Sequence, residues 1–384
     1  GDHHKAVLAA SQAVRLAPSD PQFRLTRAEM LGADEKLAEA IQQVKRSIEL
    51  SGQRPHVRAK ALSMLGDLTA SGPAANYTKA LQYHMAAVKA ADSLARDPHP
   101  AVRLVAKEVL VDAHLGAAHD IAWGNWDEKE TAVARWLDKA NTFAENLIQS
   151  EHASEEYRFR VGARALAACV ALHGKLDPSP WAQQAIRGGE QLIAKASDVH
   201  QKARLRWDLG MALYDALQVC QMRDDKDTAL QYGRLAAEYL EQGQEGNPTA
   251  MAQYVVGRLY FRLGALHAQG DKDHQEAVAW FDKATAKLRR PLPDEAAGDL
   301  ARHGETFVSM AVSYWEAGQQ EKAAALTEYG VEQMRRAVEQ GLLKPSALAA
   351  PYNNLAAMHR ELGKNDKASK FEEMATRVKE TKTR

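Results

Sequence analysis

The sequence predicts an all-α fold of helical hairpins in series, and three observations predict it. The joints of the chain fall into two alternating classes. One holds Pro, at Pro18 and Pro21, Pro55, Pro98 and Pro100, Pro248, Pro291 and Pro293, and Pro345 and Pro351; a helix cannot run through these positions. The other is short and mostly built on Gly with acidic or Asn neighbours, at Gly32, Gly72, Gly124, Gly174, Gly270, Gly318 and Gly363, with Arg223 to Asp227 as the one version lacking Gly. Gly suits a left-handed cap that ends one helix, and Asp or Asn caps the next. Secondly, no segment alternates with the period of a strand, and the punctuation leaves no room for a sheet. Thirdly, Tyr254 to Leu288 reads as two helical runs about a Gly/Asp turn. Tyr260, Leu263, Gly264 and His267 recur at helical spacing in the first run, and Ala277, Phe281 and Ala284 in the second. Small residues there let two backbones approach, and large ones fill the space beside them.

That order of a large residue, Leu-Gly, then Ala-x3-Phe resembles the tetratricopeptide repeat (TPR). Taken in order, the chain reads as variations on the unit. Ala6, Ala10, Ala13 and Pro18 are similar to a second helix and its exit, so the helix at about 3–17 is an orphan. Ala28, Ala40, Val44 and Ser47 follow, then Leu62, Leu65, Gly66, Ala80, His84 and Ala87. The two units between Ala101 and Ser197 match poorly and rest on length and on Ala132, Trp136 and Ala140. Leu209, Gly210, Leu213, Ala229, Gly233 and Ala236 make another; then comes the Tyr254 unit. Phe307, Met310, Ala311, Tyr314, Gly318 and Ala323 follow, with Thr327 replacing the usual aromatic. Tyr352 to Ala356, Gly363, Ala368 and Ala375 close the series and look most like the kinesin light chain type. The expectation is one array over 1–384: the orphan helix, then eight hairpins, seventeen helices in all. Repeats are shorter over 21–96 and longer over 99–381, where turns stand 45 to 52 residues apart and helices of roughly 20 residues fit. The resemblance implies a right-handed superhelix, first helices lining its concave side and second helices its convex side. The stretch from Lys379 to Arg384 is polar and expected to fray.

With 384 residues the chain exceeds one compact core, and 50 basic against 50 acidic residues give zero formal net charge. The balance argues against a nucleic-acid partner, which goes with a basic excess. No apolar run approaches the length of a membrane span. Cys169 and Cys220 are too few for a disulfide framework and read as buried thiols. Gly1 in place of Met marks a processed or excised piece, so the compartment is not legible.

No motif carries chemistry. Gly188 and Gly189 sit in a helical run with no strand before them, unlike a phosphate-cradling loop. His114 and His119 are five apart, on different helix faces. The carboxylates at Asp224 to Asp227 and Asp271 to His274 lack the Gly and distal Glu of a calcium loop and read as helix caps. Gly1, Asp2 and His3 would wrap Cu(II) if the amine were native, and read as a cloning remnant. No cofactor or metal is implied. Trp136 and Trp280 are expected in the core, while Trp123 and Trp126 flank a turn and plug a hairpin end.

The resemblance implies a non-catalytic scaffold that holds a peptide or a partner helix. The alternative is a regulatory or sensor module of a larger protein whose catalytic or DNA-binding domain lies outside this chain. Chaperone-binding TPRs use a Lys and Asn clamp on first helices; the matching positions here read Leu25 and Glu29, Ser63 and Asp67, Trp207 and Met211, Phe261 and Ala265, Val308 and Val312, Asn353 and Ala357. The set is absent, which argues against Hsp70 or Hsp90 tails. By resemblance, the groove in the later repeats is faced by Arg204, Trp207, Met211 and Tyr214; Arg258, Phe261, Ala265 and Ala268; Glu305, Val308, Val312 and Trp315; and Ala350, Asn353, Ala357 and Arg360. Its expected anchors are Arg204, Trp207, Tyr214, Arg258, Phe261, Trp315, Asn353 and Arg360, since aromatics and Arg dominate interface energetics. Burial of Trp207 and Phe261 against the next repeat stays open. The orphan helix is expected to expose an apolar strip, which leaves self-association open.

Overall fold

Proline opens the helices and short polar side chains cap them. In the computed structural model, which describes residues 2–244, 248–269 and 273–380, Pro21, Pro55 and Pro100 stand at helix starts. There the missing N–H is no loss. Asp20, Asn76, Asp198 and Asp273 accept from Gln22, Lys79, Gln201 and Glu276 backbone N–H groups at helix entrances. Among the described residues there are seventeen α-helices and no strand. They are α1 (Asp2–Leu16), α2 (Pro21–Ala33), α3 (Leu37–Leu50), α4 (Pro55–Thr69), α5 (Tyr77–Asp92), α6 (Pro100–Trp123), α7 (Lys129–Ser150), α8 (Glu156–Ala171), α9 (Ser179–Lys195) and α10 (Val199–Met222). Then follow α11 (Lys226–Gly243), α12 (Ala250–Gln269), α13 (His274–Leu288), α14 (Leu300–Glu316), α15 (Gln320–Glu339), α16 (Ala349–Glu361) and α17 (Asn365–Glu380).

Glycine ends helices as expected at Gly318 and Gly363, whose φ of 78° and 73° turn the chain sharply. Gln319 and Lys364 N–H then reach back to Tyr314 and His359 carbonyls at 2.8 Å. Gly72 and Gly174 are left-handed as well, with φ of 76° and 75°, but at two other turns the left-handed residue is not the glycine. At the α2–α3 turn Gly32 stays helical and Glu35 takes φ 58°; after α6 it is Glu128, φ 47°. Gly124 instead makes room for the Trp126 ring, so Trp126 plugs that hairpin end, whereas Trp123 is 50% exposed and does not. Gly270 and Asp271, the Gly1 copper motif's first residue, and residues 381–384 of the tail lie outside the described residues; of Asp2 and His3 only the helical backbone is described.

The chain divides into two compact units, 1–225 and 226–384. In the first, consecutive helices from α1 to α9 pack on each other, and α10 packs on α8 and α9. First helices also meet first helices, α2 with α4, α4 with α6, α6 with α8 and α8 with α10. The core therefore travels along the chain. Leu25, Ala28, Val44, Val57 and Leu65 fill one station, Ala59, Ala87, Ala106 and Leu110 the next, and Val111, Leu115, Leu137, Val161 and Ala165 the third. Helix α1 buries Val7, Ala10 and Val14 and turns Leu8 and Leu16 outward, 56% and 80% exposed. In the second unit consecutive helices from α11 to α17 pack in the same way. Gly264 sits under the Phe281 ring, where an added Cβ would fall 2.4 Å from it, so the small-against-large pairing that suggested the repeat is a real contact. Gly304 and Gly330 bring α14 and α15 together backbone to backbone.

Gly188 and Gly189 lie buried in α9, with a Cβ at Gly188 falling 2.6 Å from Phe159 N, so they serve close packing with α8. Cys169 and Cys220 are buried free thiols, pushed up by burial to about 12 and about 11. Trp136 and Trp280 are half-buried rather than enclosed, the first against His114 and the second beside Tyr260. Thr327 is buried and returns its hydroxyl to Ala323 O, which lets a polar residue take an aromatic's place. No helix among the described residues is long and apolar enough to cross a membrane.

Candidate functional site

Helical periodicity places the charged residues of four first helices on one face of the 1–225 unit. Residues three, four or seven apart share a helix face. On α4 these are Lys60, Ser63 and Asp67; on α6, Glu108 and Asp112; on α8, Tyr157, Arg160 and Arg164; α2 adds Glu29 at the rim. The opposite face of each helix is apolar and buried, with Leu65 on α4, Leu110 on α6 and Leu166 on α8. The charged stripes meet across the helices. Arg160 pairs with Asp112 at 2.9 Å and lies over the Tyr157 ring, while the Tyr157 hydroxyl donates to Glu108 at 2.7 Å. Arg164 approaches Asp67 at 3.6 Å. Between them opens a pocket of about 260 Å³, lined by Glu29, Lys60, Ser63, Asp67, Glu108, Asp112, Tyr157 and Arg160 with Met64 and Val109. That is below the usual size of a small-molecule pocket and fits a single side chain.

Behind the pocket a buried histidine holds the face in place. His84 on α5 fills the space left by two glycines; a Cβ at Gly66 or Gly116 would fall 2.4 or 2.3 Å from its Nε2. Its Nδ1–H donates to Asp120 at 2.7 Å, and its Nε2 faces Asp67 at 3.6 Å. Both His84 and Asp120 are fully buried. Burial alone would lower the His84 pKa, but Asp120 and Asp67 outweigh it and raise it to about 9. The ring is thus an imidazolium at neutral pH. Burial pushes the Asp67 carboxyl up, and His84 and Arg164 more than offset it, so it lies below the usual aspartate value. At Asp112 burial prevails over the pull of Arg160 and the carboxyl is raised. Ser63 Oγ, in a residue 4% exposed, and Arg160 Nε have no hydrogen-bond partner.

The residues expected to face a groove are placed on helix surfaces, none fully buried. Arg204 is exposed and ion-paired to Asp208 within α10, while Trp207, Met211 and Tyr214 are half-buried. In the 226–384 unit Phe261 stacks on Phe281, centroids 5.9 Å apart, and is covered by Arg258, which bonds Thr306 of α14 at 2.7 Å. Arg258 thereby ties α12 to α14. Val308 and Trp315 are half-buried with Glu305 and Val312 exposed; Asn353, Ala357 and Arg360 are exposed, the last paired with Glu372. Reading position 5 and 9 residues only for the Lys and Asn clamp passed over Glu29, Ser63 and Asp67 as a site. The weak repeat match of α6 and α8 gave no positions at all to Glu108, Asp112, Tyr157 and Arg160. Their i, i+3, i+4 and i+7 spacing was the signal. His114, by contrast, is a core histidine bonded to Leu110 O and packed on Trp136 and Phe143. Asp273 caps α13. Among the described residues no three His, Cys, Asp or Glu side chains converge as for a metal.

No family model matches the chain, and no curated protein matches it. Among solved structures it is similar to BtubC (BKLC) from P. vanneervenii, at 14% identity and a TM-score of 0.38, covering 80% of this chain and 92% of that one. It is also similar to the APC/C hetero-tetramer Cut9–Hcn1, at 11% identity and a TM-score of 0.27, covering 98% and 84%. A third is the human IFIT1 dimer with PPP-AAAA, at 12% identity and a TM-score of 0.24, covering 98% and 95%.

Proposed function

We propose that this chain is a non-catalytic interaction scaffold that holds an extended peptide or a partner helix along its first helices. The observation that carries the reading is the polar face on α2, α4, α6 and α8, where four consecutive first helices each contribute side chains to one pocket-bearing stripe. A peptide backbone offers donors and acceptors at a regular repeat, and such a stripe meets them one helix at a time. The outward residues Arg204, Trp207 and Tyr214 of α10, and Arg258, Phe261, Trp315, Asn353 and Arg360 of α12, α14 and α16, extend the same role to the later helices. Ser63, His84 and Asp120 are the residue types of a nucleophile, base and orienting acid, but an imidazolium with a pKa of about 9 has no lone pair to take a proton at neutral pH. That favours binding over catalysis.

The test is selection of a random peptide display library on the immobilised protein, beside a variant carrying Asp112→Lys and Glu29→Lys. Recurrent sequences bound by the native protein and lost by the variant are the expected result. No enrichment, or identical enrichment on both, overturns the reading.

A further inference from the structure

The pocket between α4, α6 and α8 has a charge and a polarity that select its occupant. Its lining holds four carboxylates, Glu29, Asp67, Glu108 and Asp112, against two cations, Lys60 and Arg160, with His84 and Arg164 reaching Asp67 from outside the lining. Only Asp112 among the four has a cation at hydrogen-bond distance, Arg160 at 2.9 Å. His84 and Arg164 both stop 3.6 Å short of Asp67, and Glu108 accepts the neutral Tyr157 hydroxyl. Ser63 Oγ, enclosed in the wall of the pocket, has no partner. A buried hydroxyl without a partner costs free energy, and Glu108, held only by the Tyr157 hydroxyl, has no cation at ion-pair distance. One ligand group relieves both: a planar cation with several N–H donors.

We propose that this pocket is the subsite for a basic side chain, arginine by preference, of the peptide bound along the face, an inference that rests on the peptide-binding reading above. A guanidinium donates to Asp67 and Glu108 through its two edges and to Ser63 through a third N–H, which an ammonium on a flexible stem does less well. Glu29 at the rim supplies the long-range attraction, and the Tyr157 ring, already stacked under Arg160, forms one wall.

Met64 and Val109 line the pocket, so their methyl groups report on it directly. The protein, labelled at Met and Val methyls, is titrated with Nα-acetyl-arginine methylamide, with its neutral citrulline counterpart, and with Nα-acetyl-glutamate. The arginine derivative should shift Met64 and Val109 saturably, and the citrulline derivative should bind roughly tenfold or more weakly. Asp112→Asn should weaken the arginine response, and so should Glu29→Gln, an exposed position that cannot unfold the site. Peptides from the display selection should share one Arg or Lys position. Equal response to arginine and citrulline, no response, or a response to glutamate instead overturns the inference. Enriched peptides with no fixed basic position overturn it while leaving the peptide-binding reading standing; arginine binding with no peptide enrichment keeps the cation site and removes the scaffold reading.

Discussion

Replacing His84 by Gln tests the buried charge directly. The substitution removes the imidazolium and leaves Asp120 fully buried with its 2.7 Å donor gone. Breaking a buried pair by deleting one partner costs about 3–5 kcal/mol, because the remaining charge is stranded. The cost depends on pH with a definite sign. The folded pKa of His84 lies at about 9, above the ordinary 6.5, so its contribution is fully present below 6.5 and is lost as pH rises through 9. A shift of that size corresponds to about 3 kcal/mol. Urea unfolding of the native and variant proteins from pH 6 to 10 gives the difference, and ring 15N shifts of His84 give the titration itself. The gap should be widest at pH 6–7 and narrow by most of that amount by pH 10. A ring that titrates near 6.5, or a gap constant across the range, would refute the imidazolium.

Gly66→Ala and Gly116→Ala should each destabilise by about 1–3 kcal/mol in the same unfolding assay, because the new Cβ meets a ring that cannot move, despite the better helix propensity of Ala; unchanged stability counts against a locked ring. Cys169 and Cys220, with pKa values pushed up to about 12 and about 11, should resist a thiol reagent at pH 8 until urea is added. Modification of either in native buffer contradicts their burial. Phe261→Ala should cost about 2 kcal/mol, roughly half of what a fully buried Phe costs, since one face rests on Phe281 and the other is only partly covered; a loss of partner affinity without any loss of stability would assign it wholly to the binding surface.

Much of the fold was legible because helical hairpins announce their ends. Pro at the helix entrance and Gly after the exit act within a few residues, so local chemistry marked the joints. The same locality misassigned some turns. Whether Gly32 or Glu35 takes the left-handed conformation depends on what packs against each, and Gly32 lies against Leu68 of another hairpin. The charged face was hidden for a related reason. His84 stood in the sequence at a position where second helices carry core residues. Its partners Asp67 and Asp120 lie on other helices, Asp120 being 36 residues away. A clamp sought by residue type finds only that type, and Ser63 with Asp67 at those positions answered a question about another ligand. The later first helices carry the strong repeat matches, and the positions named on them hold exposed or half-buried side chains.

The Asp67–His84–Asp120 row also bears on how the chain comes apart. Its members belong to α4, α5 and α6, so it crosses from one hairpin into the next. Most neighbours in such an array are joined by apolar contacts that loosen by degrees, and an end can fray one helix at a time. Separating α5 from α6 instead strands two charges at once, with no intermediate that relieves them. Helices α4 to α6 should therefore open as one block, the slowest in the unit to exchange its amide protons. Melting that starts at α1 should stall at α4, with the N-terminal three helices and the Glu29 rim already open while the α4, α6 and α8 walls above His84 stay together.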